Sequence, residues 1–366
     1  MSIWKLSGVV RGDGTGVHCE VRGGYQKMTK KAWLLVVVVV LGVGSWAQSA
    51  RAQQAAQPGE IEIIPVRPNF FMLAGAGANI GISVGPEGFI VVDTGSAAMT
   101  DKVLAAVDVL ADRFKTRVQG TDIKPRIRYV FNTSAHPDHV GGNEKVSKAG
   151  LTIFPGGAGP GLGAVTANSG AAAILAHDNV TQRMGEGFPV DAWPTEGYTG
   201  RLRSYALNND GIQIVYQPEA TSDGDSIVTF RRADVIVTGE IFDMTRFPLI
   251  DLEKGGSIQG EIDALNRLVD LAIPPVPLVW LEPRTYIIPA RGRLADQADL
   301  VEYRDMVTYV RNVVADMIKS GMTLEQIKKA DPTLAYRGRY GTDSGPWTTD
   351  MFVEAVYKSL TAKPQA

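Results

Sequence analysis

The stretch from Phe131 to Asn143, FNTSAHPDHVGGN, sets His136, Asp138 and His139 within four residues of one another. It follows an apolar run that reads as a strand, and a glycine pair lies near its end. Imidazole and carboxylate donors so close together suit a divalent metal such as zinc, which makes hydroxide available near neutral pH. A catalytic mononuclear zinc takes three protein ligands and a water. The whole chain contains 4 histidines and 1 cysteine, so few further soft donors exist to complete a centre.

The rest of the composition narrows the class. The chain has 366 residues, 45% hydrophobic and 21% charged, with a formal net charge of −2. This fits a globular protein of one large or two small domains. Without a run of Lys or Arg, nothing marks a nucleic-acid partner. Met28–Lys31 (MTKK) is a basic lead-in, Ala32–Gly44 is a short apolar core, and Ala50–Ala52 (ARA) is a small-x-small cleavage site. That core is shorter than the roughly 20 residues of a membrane span. Residues 1–52 are therefore expected to be a leader and export signal, with Met28 a possible true start and no membrane span after cleavage. The mature protein would be periplasmic or secreted. Cleavage would remove Cys19 and His18, leaving His136, His139 and His177 as the only imidazoles.

Short alternating or apolar runs separated by glycines (FFMLAG, ANIGISVG, GFIVVDTG) predict hairpin-linked strands. Thr100–Lys115 has helical periodicity with a Thr N-cap, and IRYVFNTS is a buried strand leading into the opening motif. The segment AAAIL is a strand running into a helix at AHDNVTQRM. The rhythm then repeats: IQIVYQP, DSIVTFRR and ADVIVTGEIF are strands. Ser257–Ala272 is an amphipathic helix with a Ser N-cap and a capping-box-like Glu261, and TYIIPARG is the last strand. Asp296–Ser320 and Thr348–Leu360 are helical. Strands followed by helices, twice over, predict two face-to-face sheets with helices outside, a four-layer α/β arrangement.

These landmarks resemble the metallo-β-lactamase superfamily, whose members carry T-H-x-H-x-D-H-x-G-G after a strand. Thr133–Gly142 reads TSAHPDHVGG here. VVDTG at 91–95 is similar to the family's first motif. QPEATSDGDSIV, VIVTGEIF and YIIPARGRL match its P-x-A-H-T-x-G-D, V-x-x-x-G-D and P-G-H-G regions in order. The resemblance implies an αββα sandwich over residues 58–294, with residues 295–366 a C-terminal helical extension packed on the same domain.

Carried over residue by residue, it also implies a depleted centre. The family's first motif histidine is Ser134, its A-H-T histidine is Thr221, its P-G-H-G histidine is Arg291, and its bridging aspartate is Glu240. His136, Asp138 and His139 remain, with Asp93 beneath them to order the loop. The usual two-metal centre is excluded by counting. One zinc ion at most is expected, on His136, Asp138 and His139 with Glu240, and Asp138 is the candidate catalytic residue. A guanidinium at Arg291 would repel a dication and could pair with Asp138 or Glu240 instead. His177 reads as a structural residue at a strand end. Two functions follow from the resemblance. One is a hydrolase of an ester, amide, lactam or thioester with a weakened single-metal site. The other is a non-catalytic relative that binds an anionic small molecule through Arg291.

Overall fold

Apolar residues on both faces of most strands require a covering layer on each side of both sheets, and helices supply it. The computed structural model describes residues 59–152, 170–185, 187–275 and 284–362. The leader expected at residues 1–52 lies outside them. The described residues belong to one compact unit.

The first sheet takes β1 (Glu62–Arg67), β2 (Phe70–Ala74), β3 (Ile80–Gly85) and β4 (Gly88–Val92) as an antiparallel meander. A small hairpin, β5 (Thr116–Val118) with β6 (Thr121–Ile123), stands apart. β7 (Ile127–Phe131), β8 (Ala173–His177) and β9 (Glu196–Tyr198) then add in parallel beyond β4. The second sheet runs β10 (Leu202–Leu207), β11 (Asp210–Tyr216), β12 (Ser226–Phe230), β13 (Val235–Val237) and β14 (Tyr286–Ile288).

Between the sheets lies a core of Phe70, Met72, Val92 and Phe131 facing Ile214, Phe230 and Val237. Phe70 meets Phe230 edge to face at 4.7 Å, which joins the two sheets directly. Helix α1 (Thr100–Arg113) covers the outer face of the first sheet through Val103, Val107 and Leu110. Short helices follow the strands of this sheet: α2 (Pro137–Val140) and α3 (Asn143–Lys148) after β7, and α4 (Asp178–Met184) after β8. On the second sheet, α5 (Ile258–Leu271), α6 (Gln297–Lys319) and α9 (Thr349–Thr361) bury Leu265, Tyr303, Val307 and Phe352 against Ile227, Ile236 and Ile287. Two more helices, α7 (Leu324–Ala330) and α8 (Leu334–Tyr340), complete that layer. The four-layer sandwich with C-terminal helices is thus the observed architecture. No helix among the described residues is long and apolar enough to cross a membrane.

Two local expectations are corrected. Thr100 is the first residue of α1 rather than its cap, and its hydroxyl donates back to Ala97 O at 3.0 Å. Ser257 does cap α5, accepting from Gly260 N at 2.9 Å, but Glu261 does not return a bond to it. Glu261 sits one position beyond the N3 residue of a capping box, so its side chain turns into the protein.

Candidate functional site

The strand exits of both sheets that carry the opening motif and its companions meet at one end of the sandwich. Asp93, just after β4, adopts a left-handed backbone (φ 64°), a conformation that aspartate tolerates better than most residues. This turns its carboxylate under the loop after β7, where it accepts from Thr133 N at 2.8 Å and Thr133 Oγ1 at 2.6 Å. Pro137 starts α2, and His136 caps it, its Nδ1 accepting from Asp138 N at 3.3 Å. From the second sheet, Gly239 (φ 58°) follows β13. A Cβ there would lie 2.5 Å from Thr133 Oγ1, so only glycine lets the two strand exits approach this closely. That approach carries the next residue, Glu240, onto His139.

His139 is fully buried and bridges two carboxylates: Nδ1 lies 2.7 Å from Asp93 Oδ2 and Nε2 lies 2.8 Å from Glu240 Oε2. An ionised carboxylate only accepts, so both ring nitrogens donate and the ring is an imidazolium. Burial alone would lower its pKa, but the two acids outweigh burial and raise it to about 10. Beyond Glu240 stands Arg291. Its Nη1 donates to Glu240 Oε1 and Oε2 at 3.1 and 3.2 Å and to Asp243 Oδ2 at 3.0 Å, and its Nη2 donates to Asp138 Oδ2 at 2.5 Å. Arg246 joins Glu240 as well and reaches Asp243 Oδ2 at 3.0 Å through Nε. Glu240 is held well below the ordinary carboxylate range: burial would raise it, and the charges of Arg291 and His139 prevail. Arg291 is pushed upward by the same acids. Four carboxylates and three cations thus form one continuous network, buried at His139, Asp93, Glu240 and Asp243 and partly exposed at Asp138, Arg246 and Arg291.

His136 lies beside it, half-buried, with its ring edge-on to His139 at 6.1 Å. Burial lowers its pKa, so it is the neutral partner of the pair. Because its Nδ1 accepts a backbone N–H, its hydrogen sits on Nε2. Ser134 is buried and its Oγ accepts from His136 N at 3.1 Å. Thr221 donates its hydroxyl to Asp225 Oδ2 at 2.8 Å. His177 caps α4 by accepting from Asn179 N and stacks on Tyr216 at 3.8 Å.

The superfamily resemblance implies zinc, and the donors do not fit it. His139 has no lone pair left to offer. A guanidinium sits on Asp138 and Glu240, and a threonine stands at the third imidazole position. Among the described residues, no three His, Cys, Asp or Glu side chains are placed to hold one ion. The expected ligand set of His136, Asp138, His139 and Glu240 is therefore brought into one neighbourhood but not around one point, because ion pairs within the protein use its oxygen and nitrogen atoms first. The anion-binding role considered for Arg291 is met by the same fact: three carboxylates already surround its guanidinium.

Sequence reasoning alone missed Asp243 and Arg246. Both lie in GEIFDMTR, directly after the β13 strand, and an acid and a base that close to Glu240 were the available signal. It also missed the support from Asn143, which bonds Asn132 and Thr94 at 2.9–3.1 Å beneath the motif loop.

A family model described as the metallo-beta-lactamase superfamily matches residues 75–277, more than half of the chain. No curated protein matches it. Among solved structures, the stereoselective inverting sec-alkylsulfatase Pisa1 from Pseudomonas sp. aligns with a TM-score of 0.56 at 13% identity, covering 81% of this chain and 50% of the sulfatase. A double mutant of the sec-alkyl sulfatase PisA1 aligns at 15% identity with the same TM-score of 0.56 and the same coverage. The metallo-beta-lactamase from Pontibacter korlensis is matched at 14% identity and a TM-score of 0.49, over 68% of this chain and 99% of its own length. This chain thus spans about half the length of the sulfatase, and identities this low speak to the fold alone.

Proposed function

The chain belongs to the metallo-β-lactamase superfamily, and from that premise we propose that it is a pseudo-hydrolase whose metal centre is replaced by an internal ion-pair lock. It keeps the hydrolase-like fold and binds a small molecule without metal-assisted hydrolysis. One observation carries this reading: His139, whose superfamily counterpart is a ligand, spends both ring nitrogens on Asp93 and Glu240. The alternative, hydrolysis of an ester, amide, lactam or thioester by a single zinc with Asp138 as its catalytic residue, would need those groups released first. Removing Arg291 from three carboxylates in a partly desolvated site is costly, so a weakly bound ion does not displace it at ordinary concentrations. The side chain of Arg291 is 17% exposed and charge-compensated, which argues against its serving as an anion receptor.

The test is metal content and turnover together. The protein is purified without chelator, dialysed against zinc, and assayed with an activated ester, a thioester and a chromogenic β-lactam. Sub-stoichiometric zinc and no chelator-sensitive hydrolysis are expected; one zinc per chain with chelator-sensitive turnover would overturn the reading. A gain-of-function variant sharpens it. Ser134→His, Thr221→His and Arg291→His together supply three imidazoles and remove the guanidinium, so zinc affinity should rise by orders of magnitude. Export to the periplasm or medium belongs to the same proposal and rests on residues 28–52. N-terminal sequencing of the mature protein, with an expected start at Gln53, tests it.

A further inference from the structure

Below the Thr221 position lies a pair of buried acids that the ion-pair lock does not use. Glu261, in the first turns of α5, is 0% exposed, and neither Oε1 nor Oε2 has a hydrogen-bond partner among the described residues. Across from it, on the loop between β11 and β12, Asp225 is also buried. Its Oδ2 accepts from Ser222 N at 2.6 Å and from the hydroxyls of Thr221 and Ser222, while its Oδ1 has no partner among the described residues. The charged and titratable groups facing Glu261 are Asp225, Glu240 beyond β13, and Tyr303 on α6. All are acids. The nearby cations Arg246 and Arg291 are committed to Glu240, Asp243 and Asp138.

The surroundings are closely packed and largely apolar. Loop 219–225 is clamped to segment 251–257, which leads into α5: Ser257 N donates to Glu219 O at 2.9 Å, Asp251 N to Thr221 O at 2.8 Å, and Asp223 N to Lys254 O at 2.8 Å. A Cβ on Gly260 would lie 2.0 Å from Glu219 O. On the far side, Ile258, Ile262 and Leu265 seal the helix into the core. A buried carboxylate without donors is strongly disfavoured, whereas the neutral acid is tolerated.

We propose that Glu261 carries a proton in the folded protein, and that losing it at alkaline pH loosens loop 219–225, which walls the candidate site. The loop is tied to the motif itself, since Ser226 N donates to Thr133 O at 2.8 Å, so loosening it would open the site. Burial raises Glu261 well above the ordinary carboxylate range and raises Asp225 to about 7, consistent with this assignment. The inference does not depend on the pseudo-hydrolase reading, and neither readout below involves metal or turnover.

The experiment follows thermal unfolding of the full chain and of Glu261→Gln from pH 4 to 9, with hydrogen exchange across 219–225. At pH 4, below the ordinary glutamate value of 4.5, the two proteins should melt together, and the gap should open as pH rises. At pH 8.5 the variant should melt higher by about 3 °C or more, and only the wild type should exchange faster in the loop than the intrinsic pH effect requires. Melting curves offset equally at both pH values would overturn the proposal. Should the variant not fold, infrared spectra of wild-type protein carrying isotope-labelled glutamate decide the matter. A protonated-carboxyl band at neutral pH supports the assignment, and its absence overturns it.

Discussion

The acids at this end of the sandwich fall into two groups that are neutralised by different means. Around His139, the carboxylates of Asp93, Asp138, Glu240 and Asp243 alternate with His139, Arg246 and Arg291. Around the start of α5, Asp225 and Glu261 face each other's charge with no cation among their partners. Access explains the difference. Arg246 and Arg291 lie on loops at the strand exits, where a long side chain can thread in while keeping part of its surface wet. The α5 group is enclosed by a helix start, a clamped loop and an aliphatic core, so only a proton or a neutral hydrogen-bond donor is small enough to settle it. A superfamily site that loses its metal therefore need not find one common substitute for the missing charge; each pocket of acids takes the counter-charge that its geometry admits.

The largest effect is expected at Glu240, which meets His139, Arg246 and Arg291 at once. Glu240→Ala leaves an imidazolium and two guanidinium groups without their shared partner, a loss of about 3–5 kcal/mol for a broken buried network. Denaturant unfolding measures it, and a loss below about 1 kcal/mol would break the comparison by showing that the network contributes little. Arg291→Ala should cost less, about 2 kcal/mol, because Arg246 still serves Glu240 and Asp243 and because the Asp138 side chain is 34% exposed. Arg291→Lys should fall between that variant and the wild type, keeping the charge but losing the fork that spans three acids.

The two groups also respond to pH differently. Glu240 is depressed below its ordinary value of 4.5, so the stability it contributes is present above that value and is lost as pH falls through its lower folded pKa. His139 is raised to about 10, so its contribution is complete below 6.5 and is lost as pH rises through 10. Asp225 is raised from 3.8 to about 7, so the folded state is penalised progressively as pH climbs across that interval. Stability measured from pH 4 to 10 should therefore decline already between pH 5 and 7. Asp225→Asn should lessen that decline, with Glu261 supplying the remainder, and leave the fall near pH 10 in place. A flat wild-type curve from pH 5 to 7 would count against the uncompensated group.

Much of this was legible in the residues. The strand-rich halves, the helices near 100–113, 258–271 and 297–319, and the order of the superfamily landmarks all follow from local periodicity and short motifs, which one chain segment specifies by itself. The missing imidazoles could be counted, and Arg291 could be placed at the P-G-H-G position. The pairing of Arg291 with three acids could not, because it depends on where the exits of β13 and β14 meet in space. Asp243 and Arg246 were missed for the same reason. Glu261 misled more directly: its position near Ser257 imitates a capping box, and the shift of one residue along the helix rotates it by about 100° into the core.

The smallest effect is expected on the outer surface, where Glu354 pairs with Lys328 at 2.8 Å and Lys358 at 2.7 Å. Its hydrogen bonds to the two lysines lower its pKa to about 2. Nevertheless, water screens these pairs, and holding three long side chains in one arrangement costs entropy. Glu354→Gln should change stability by less than about 1 kcal/mol after that discount, and less still at high salt. Set beside Glu240→Ala in the same unfolding assay, it separates two explanations of the buried network. If the two substitutions cost the same, proximity of charge alone would account for both. If Glu240 costs several times more, the governing term is the desolvation that leaves its partners nowhere else to turn.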